Sequence, residues 1–294
     1  MDVTESVVSQ SHQTKYHPSY NSPDGDITLL SDDGVNFRVH SFVLSRTSKF
    51  FREMMEIPQP EGDTNVDPLP MGESSAVIKA MLDIIYPGDN DPKLPSLTYE
   101  FLRRLLSAAD RFDMSRVNHY VRLLIPTDKF SDRALEYYAL ACAYGWVEEA
   151  HDQSVNTLNL RLLSPKYETI LTSLDSASLY RLFKLREQLK SRIVRVAQDL
   201  EADEVEGMWE CDCEDGELEA PEWKVLASYV SEKFDDCANG NFLRTPEFWD
   251  DERLHKLWKF ECRHCNRPWL KKENLQRIFM ERLDSALAEA RGNR

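Results

Sequence analysis

A chain of 294 residues has room for about two domains, and 41% apolar with 30% charged residues describe a globular chain that stays in water. The formal charge of -15 disfavours binding to a phosphate backbone by bulk charge. Twelve of the acidic residues lie between Asp199 and Glu222, a stretch without Lys or Arg, so the rest of the chain is close to neutral.

No run of about 18 apolar residues is available to span a bilayer. Six cysteines behind an N-terminus without leader character point to reduced thiols and an intracellular location, cytoplasm and/or nucleus. Residues 1–22 are polar, carry no apolar stripe and read as a disordered tail closed by Pro23-Asp24-Gly25.

The stretch DITLLSDDGVNFRVH predicts a β-hairpin. Ile27 and Leu29 alternate, Asp33-Gly34 marks a two-residue turn, and Phe37 and Val39 alternate on the return. After His40 the apolar period becomes helical through Val43, Leu44, Phe50, Phe51, Met54 and Met55. Ser45 and Ser48 are placed to cap this stretch or divide it into two short helices. The proline-rich loop IPQPEGDTNVDPLPMG has room for a short strand around Val66. From Ser74, the residues Val77, Ile78, Met81, Leu82 and Ile85 form a stripe that Pro87-Gly88 ends. Thr98 caps a helix carrying Phe101, Leu102, Leu105, Leu106 and Ala109, and Val117, Val121 and Leu124 mark another.

Residues 127 to about 200 carry only helical periods. Leu135, Tyr138, Ala139 and Cys142 share a face before Gly145. Leu182, Leu185, Leu189, Ile193, Val196 and Leu200 predict a long last helix whose stripe is core rather than coiled coil. The acidic run has the composition of a solvated linker, with binding to a basic partner as the competing reading. Beyond it, one helix carries Trp223, Leu226, Tyr229 and Val230. A second covers TPEFWDDERLHKLW with Thr245 as cap and Pro246 in the first turn. A third carries Leu275, Ile278, Phe279, Leu283 and Leu287. Five of the six tryptophans lie from residue 209 onward, which predicts a small core for this tail alone.

A hairpin, two short helices starting at a histidine, a loop, a helix ending IIYPGD and two further helices form a specific order. It resembles the BTB/POZ domain. The residues that carry the resemblance are Asp26 with Ile27, Asp33-Gly34, Phe37, His40, Leu44-Ser45, Ser48, Phe50-Phe51, and Tyr86 with Gly88. The cut of the chain, with MMEIPQPEG and the later YALACAYGW, is similar to fungal proteins of this family. The resemblance implies an α+β BTB/POZ fold, a small sheet with flanking helices, over residues 23–125. A mostly α-helical C-terminal half follows: a helical extension over 126–200, of the kind found in ligase adaptors, and an acidic linker plus helical module over 201–294.

The function so implied is a non-catalytic protein–protein interaction protein. Family members self-associate and dock cullin-type ubiquitin-ligase scaffolds, ion-channel segments or corepressors. An adaptor in a ubiquitin ligase complex is the most concrete version, and a transcriptional or chromatin regulator acting through corepressor contacts is the alternative. The scaffold-binding loop of family adaptors falls near Met54 to Asp67, which makes Met54 and Met55 the expected partner contacts. No nucleic acid or membrane is expected as a partner. Two departures withhold the domain-swapped dimer of some members. Residues 1–22 lack the pattern of an added helix and strand, and Ser41 stands opposite Asp26 where many members carry a basic residue.

His40 beside Ser41 invites a nucleophilic reading. Adjacent residues on a strand or helix do not face each other, however, and no Gly-x-Ser-x-Gly elbow, paired acid and base or phosphate loop occurs. The expectation is a histidine packed at the strand-to-helix corner and bonded to backbone groups, with no catalytic and no cofactor-binding residues. The cysteines are sharper. WECDCEDG and FECRHCNRP place Cys211 and Cys213 against Cys262 and Cys265, a spacing similar to a four-thiolate structural zinc site. His264, His255 or Cys237 are alternative fourth ligands, and unliganded thiols or a redox role are the competing readings.

Overall fold

In a computed structural model the described residues are 15–57, 67–86, 88, 92–124, 133–198, 221–259, 261, 265–268 and 270–292. The chain divides into two compact units, residues 1–127 and 128–294.

The first unit is built on a four-stranded sheet in the order β1-β3-β2-β4. Strands β2 (Ile27–Leu30) and β3 (Val35–Val39) form the expected antiparallel hairpin, with Leu29 opposite Phe37. Its loop has three residues rather than two. Ser31 N–H donates to Val35 O at 3.0 Å, Gly34 N–H donates to Ser31 O, and Gly34 takes φ +76°. A turn closed by a left-handed glycine restores the right-handed twist of the pair, which is why Gly34 sits there.

Strand β1 (Lys15–Asn21) lies at the edge, parallel to β3, and corrects the expectation of a disordered tail through residue 22. Aromatic rings rather than an aliphatic stripe hold it. The His17 ring stacks on Phe37 at 5.0 Å, Tyr20 packs edge-on against Tyr86, and the Tyr20 hydroxyl donates to Asp83 Oδ1 at 2.8 Å. Pro18 cannot donate to a ladder, and the register shifts between Tyr16 and Asn21, as an edge strand tolerates. The two-residue strand β4 (Leu69–Pro70) runs parallel to β2, while the strand expected around Val66 falls outside the described residues.

Helices α1 (Ser41–Thr47), α2 (Lys49–Glu56), α3 (Ser75–Ile85), α4 (Tyr99–Arg111) and α5 (Ser115–Leu124) flank the sheet. Ser48 divides the first two as expected. Its Oγ accepts from Phe51 N–H at 3.0 Å to cap α2, and donates to Phe112 O, tying α2 to the end of α4. There Asp113 takes φ +50° in a Schellman ending: Met114 N–H donates to Ala109 O, and Asp113 N–H to Asp110 O. Leu29, Phe37, Leu44, Phe51, Ile78, Leu105 and Val117 are fully buried between these layers.

The second unit is helical: α6 (Ala134–Ala143), α7 (Val147–Asn156), α8 (Glu168–Ser173), α9 (Ser176–Gln198), α10 (Pro221–Asp236), α11 (Pro246–Trp249), α12 (His255–Trp258) and α13 (Lys272–Gly292). Gly145, at φ +67°, ends α6 in a second Schellman motif, its bonds running from Trp146 N–H to Ala141 O and from Gly145 N–H to Cys142 O. Two expectations need correction. The stretch from Thr245 to Trp258 is α11 and α12 with a 3-10 turn between them. Asp251 adopts extended backbone and its side chain accepts from Arg253 N–H, which restarts the helix instead of continuing it. The described residues from 221 onward also own no separate core. Leu189, Ile193 and Ala197 of α9 join Leu226, Val230, Trp249, Phe279 and Leu283 in one buried cluster. No helix among the described residues is long and apolar enough to cross a membrane.

Gly240 shows how tightly that cluster is closed. It takes φ +71°, and a Cβ there would lie 2.7 Å from Leu283 Cδ1. Gly240→Ala is expected to cost about 1–3 kcal/mol of stability in urea unfolding, combining left-handed strain with overpacking. An unchanged midpoint contradicts this packing.

Candidate interaction surface

Two aspartates of the hairpin hold the helices that flank it. Helices α1 and α3 start without a side-chain bond from their own N-cap residues, His40 and Ser74. The first N–H of each helix is orphaned by helix geometry and needs an acceptor from elsewhere. Asp26, just before β2, accepts Ser41 N–H on Oδ1 at 2.7 Å and the Ser41 hydroxyl on Oδ2. Asp33, in the hairpin loop, accepts Ser75 N–H on Oδ1 at 2.7 Å and the Ser75 hydroxyl on Oδ2 at 2.5 Å. Each carboxylate also meets the positive end of a helix dipole. Burial works against their ionisation, but the serine donors hold both carboxyls below the ordinary carboxylate range.

His40 sits at the corner between β3 and α1, and its ring bonds side chains rather than the expected backbone groups. Its backbone N–H donates to Tyr86 Oη at 2.8 Å, Nδ1 lies 3.2 Å from the same oxygen, and Nε2 lies 3.2 Å from Asp24 Oδ2. One assignment satisfies all three contacts: the Tyr86 hydroxyl donates to Nδ1, and Nε2–H donates to Asp24. Burial pushes the Tyr86 phenol up, while hydrogen bonds from Ser22 and His40 pull the exposed Asp24 carboxyl down. The Ser41 hydroxyl is engaged by Asp26 and the His40 ring by Tyr86 and Asp24, so Ser41 and His40 do not form a pair here.

The remaining expected positions divide by exposure. Phe37, Leu44, Ser48 and Phe51 are buried and position the helices, whereas Ser45 is a helix-interior residue whose Oγ donates to Phe42 O. Met54 and Met55 are half-buried on α2. Around them the structure adds residues that the period analysis did not single out as exposed. Phe42 is 68% exposed with the Arg46 guanidinium over its ring, Phe50 is 40% exposed, and Ile57 is 61% exposed. Periodicity alone places Phe50 in the stripe, and its exposure follows from Phe51 taking the buried position on α2. Exposed large apolar side chains on one pair of short helices are surface that a partner can cover.

Of the cysteine set, Cys211, Cys213 and Cys262 lie outside the described residues. Cys265 is exposed, in a chain reversal closed by an antiparallel bridge between Glu261 and Pro268, with Asn266 at φ +56°. Among the described residues no group of three or more His, Cys, Asp or Glu could hold a metal ion.

Residues 21–127 match the family model described as the BTB/POZ domain. No curated protein and no solved structure matches the chain.

The aspartate clamps give a pH dependence with a definite sign. Folded pKa values below the unfolded value of about 3.9 mean that this stabilisation is complete above that pH. It is lost as the pH falls through the folded values. Asp26→Asn and Asp33→Asn are each expected to cost about 1 kcal/mol at neutral pH, at these exposed positions. The double variant is expected to lose less stability between pH 5 and pH 2 than the parent, as read from urea midpoints. Identical acid limbs contradict the clamps.

Proposed function

Because residues 21–127 are a BTB/POZ domain, a non-catalytic protein–protein interaction module, we propose that the protein is an adaptor that docks a cullin-type ubiquitin-ligase scaffold through this unit. The observation that carries the reading is the apolar surface of α1 and α2. Phe42, Phe50 and Ile57 are exposed, and Met54 and Met55 are half-buried beside them. A rigid pair of short helices, locked by Ser48 and by the Asp26 clamp, presents these side chains with little entropy left to lose on binding. The second unit then serves to recruit what the scaffold modifies.

A structural zinc in that second unit is proposed on the thiol spacing of Cys211, Cys213, Cys262 and Cys265. The Glu261–Pro268 bridge and left-handed Asn266 support it, because a reversal of that kind suits a Cys-x-x-Cys pair. When bound, zinc would cross-link two parts of this unit and contribute to its folding.

Affinity capture of the full chain from cells is expected to recover a cullin. Phe42→Glu with Ile57→Glu, both at exposed positions, is expected to abolish recovery while leaving the thermal midpoint unchanged. Recovery of corepressors without any cullin overturns the adaptor reading in favour of the transcriptional one. Metal analysis of the purified protein is expected to find one zinc per chain, lost in Cys262→Ser. A metal-free parent that is equally stable overturns the zinc site.

A further inference from the structure

The second unit contains a cleft of about 660 Å³ between the Arg161–Pro165 turn, α9 and the end of α10. Its wall is mixed, with apolar side chains set beside the charged Arg161, Glu187, Lys190, Asp235 and Asp236. Leu162 and Phe234 are buried, Phe183 is 37% exposed, and Leu163 stands at the mouth 82% exposed. An open depression of about 640 Å³ runs along one face of α9 past Tyr180 and shares Phe183 and Glu187 with the cleft.

The cleft holds a cation that the fold does not neutralise. Arg186 Nη2 donates to Thr157 O and to Leu160 O, the carbonyls that end α7 and its trailing 3-10 turn. Arg186 Nε is buried without a partner, and among the described residues no carboxylate lies within ion-pair distance of the guanidinium. The rim is different. Arg161 pairs with Asp236 at 2.8 Å and Lys190 with Asp235 at 2.6 Å, so the flanking cations are satisfied while the central one is not. Burial lowers the Arg186 pKa to about 10, opposed in part by the nearby Cys237. Two carbonyls account for Nη2 and leave Nη1 available to an anion.

We propose that this cleft binds the C-terminal end of a peptide chain, its free α-carboxylate on Arg186 and its apolar last residue against Phe183 and Leu163. A carboxylate can accept a charge-assisted hydrogen bond from the remaining Nη1, and in a partly dry cleft the pair is worth more than at the surface. Phe183 and Leu163 favour an apolar terminal side chain, and the face of α9 past Phe183 and Tyr180 accommodates the residues before it. That face favours a chain over a small apolar acid. The site is independent of the scaffold-docking surface of the first unit, so either can fail without the other.

The test is selection of peptides with free C-termini from a random display library on the immobilised full chain, counter-selected on Leu163→Asp. Leu163 is at the mouth, so this variant keeps the fold. The expected result is enrichment of sequences ending in an apolar residue. A selected peptide, synthesised and labelled with fluorescein, is expected to bind about tenfold more tightly as the free acid than as the amide. Arg186→Met removes that difference, and Phe183→Ala weakens both forms. Four results overturn the proposal: no enrichment over the Leu163→Asp chain, enriched motifs that tolerate C-terminal extension, equal binding of acid and amide, or displacement of the peptide by octanoate at the same concentration as by the unlabelled peptide.

Discussion

The interaction on which the first unit depends is the bidentate grip of a hairpin carboxylate on the first residue of a helix, used twice. A hairpin alone is marginal in water, and a helix of seven residues is too short to hold itself. Asp26 and Asp33 join the two: each accepts a backbone N–H and a hydroxyl from Ser41 or Ser75, so the ends of the hairpin determine where α1 and α3 begin. With α1 placed, Ser48 caps α2 and bonds Phe112 at the end of α4. Phe42, Phe50 and Ile57 stay exposed on the helices so placed.

Much of this was legible in the residues. The alternation of Ile27, Leu29, Phe37 and Val39, the glycine at position 34 and the change of period after His40 are local signals. They identified the hairpin, the paired helices and the BTB/POZ domain. The partners of Asp26 and Asp33 were less visible, because an aspartate that caps a helix 15 or 42 residues away leaves no spacing rule to read. Strand β1 escaped because its anchors, His17 and Tyr20, are polar aromatics that bury rings against Phe37 and Tyr86 without an aliphatic stripe. The division between Trp249 and His255 depends on Asp251 choosing its own backbone, a local competition that periodicity does not weigh.

The second unit shows the opposite balance. Its long helix α9 was evident from Leu182, Leu189 and Ile193, but the single core it forms with α10 and α13 was not, since a run of twelve acidic residues looks like a boundary in sequence. Nor does composition distinguish Arg186 from its neighbours Arg161 and Lys190. Only the positions of Asp235 and Asp236 reveal which cation is left without a counterion. The two units thus differ in surface, with exposed apolar side chains on a helix pair in one and a cleft of mixed lining in the other.

Amide hydrogen exchange at Ser41 and Ser75 tests the clamp most directly. The first N–H of a helix has no partner within the helix and normally exchanges at close to the rate of an unfolded chain. The clamp predicts strong protection at both amides, lost at Ser41 in Asp26→Ala and at Ser75 in Asp33→Ala. Rapid exchange at both amides in the parent protein would contradict it.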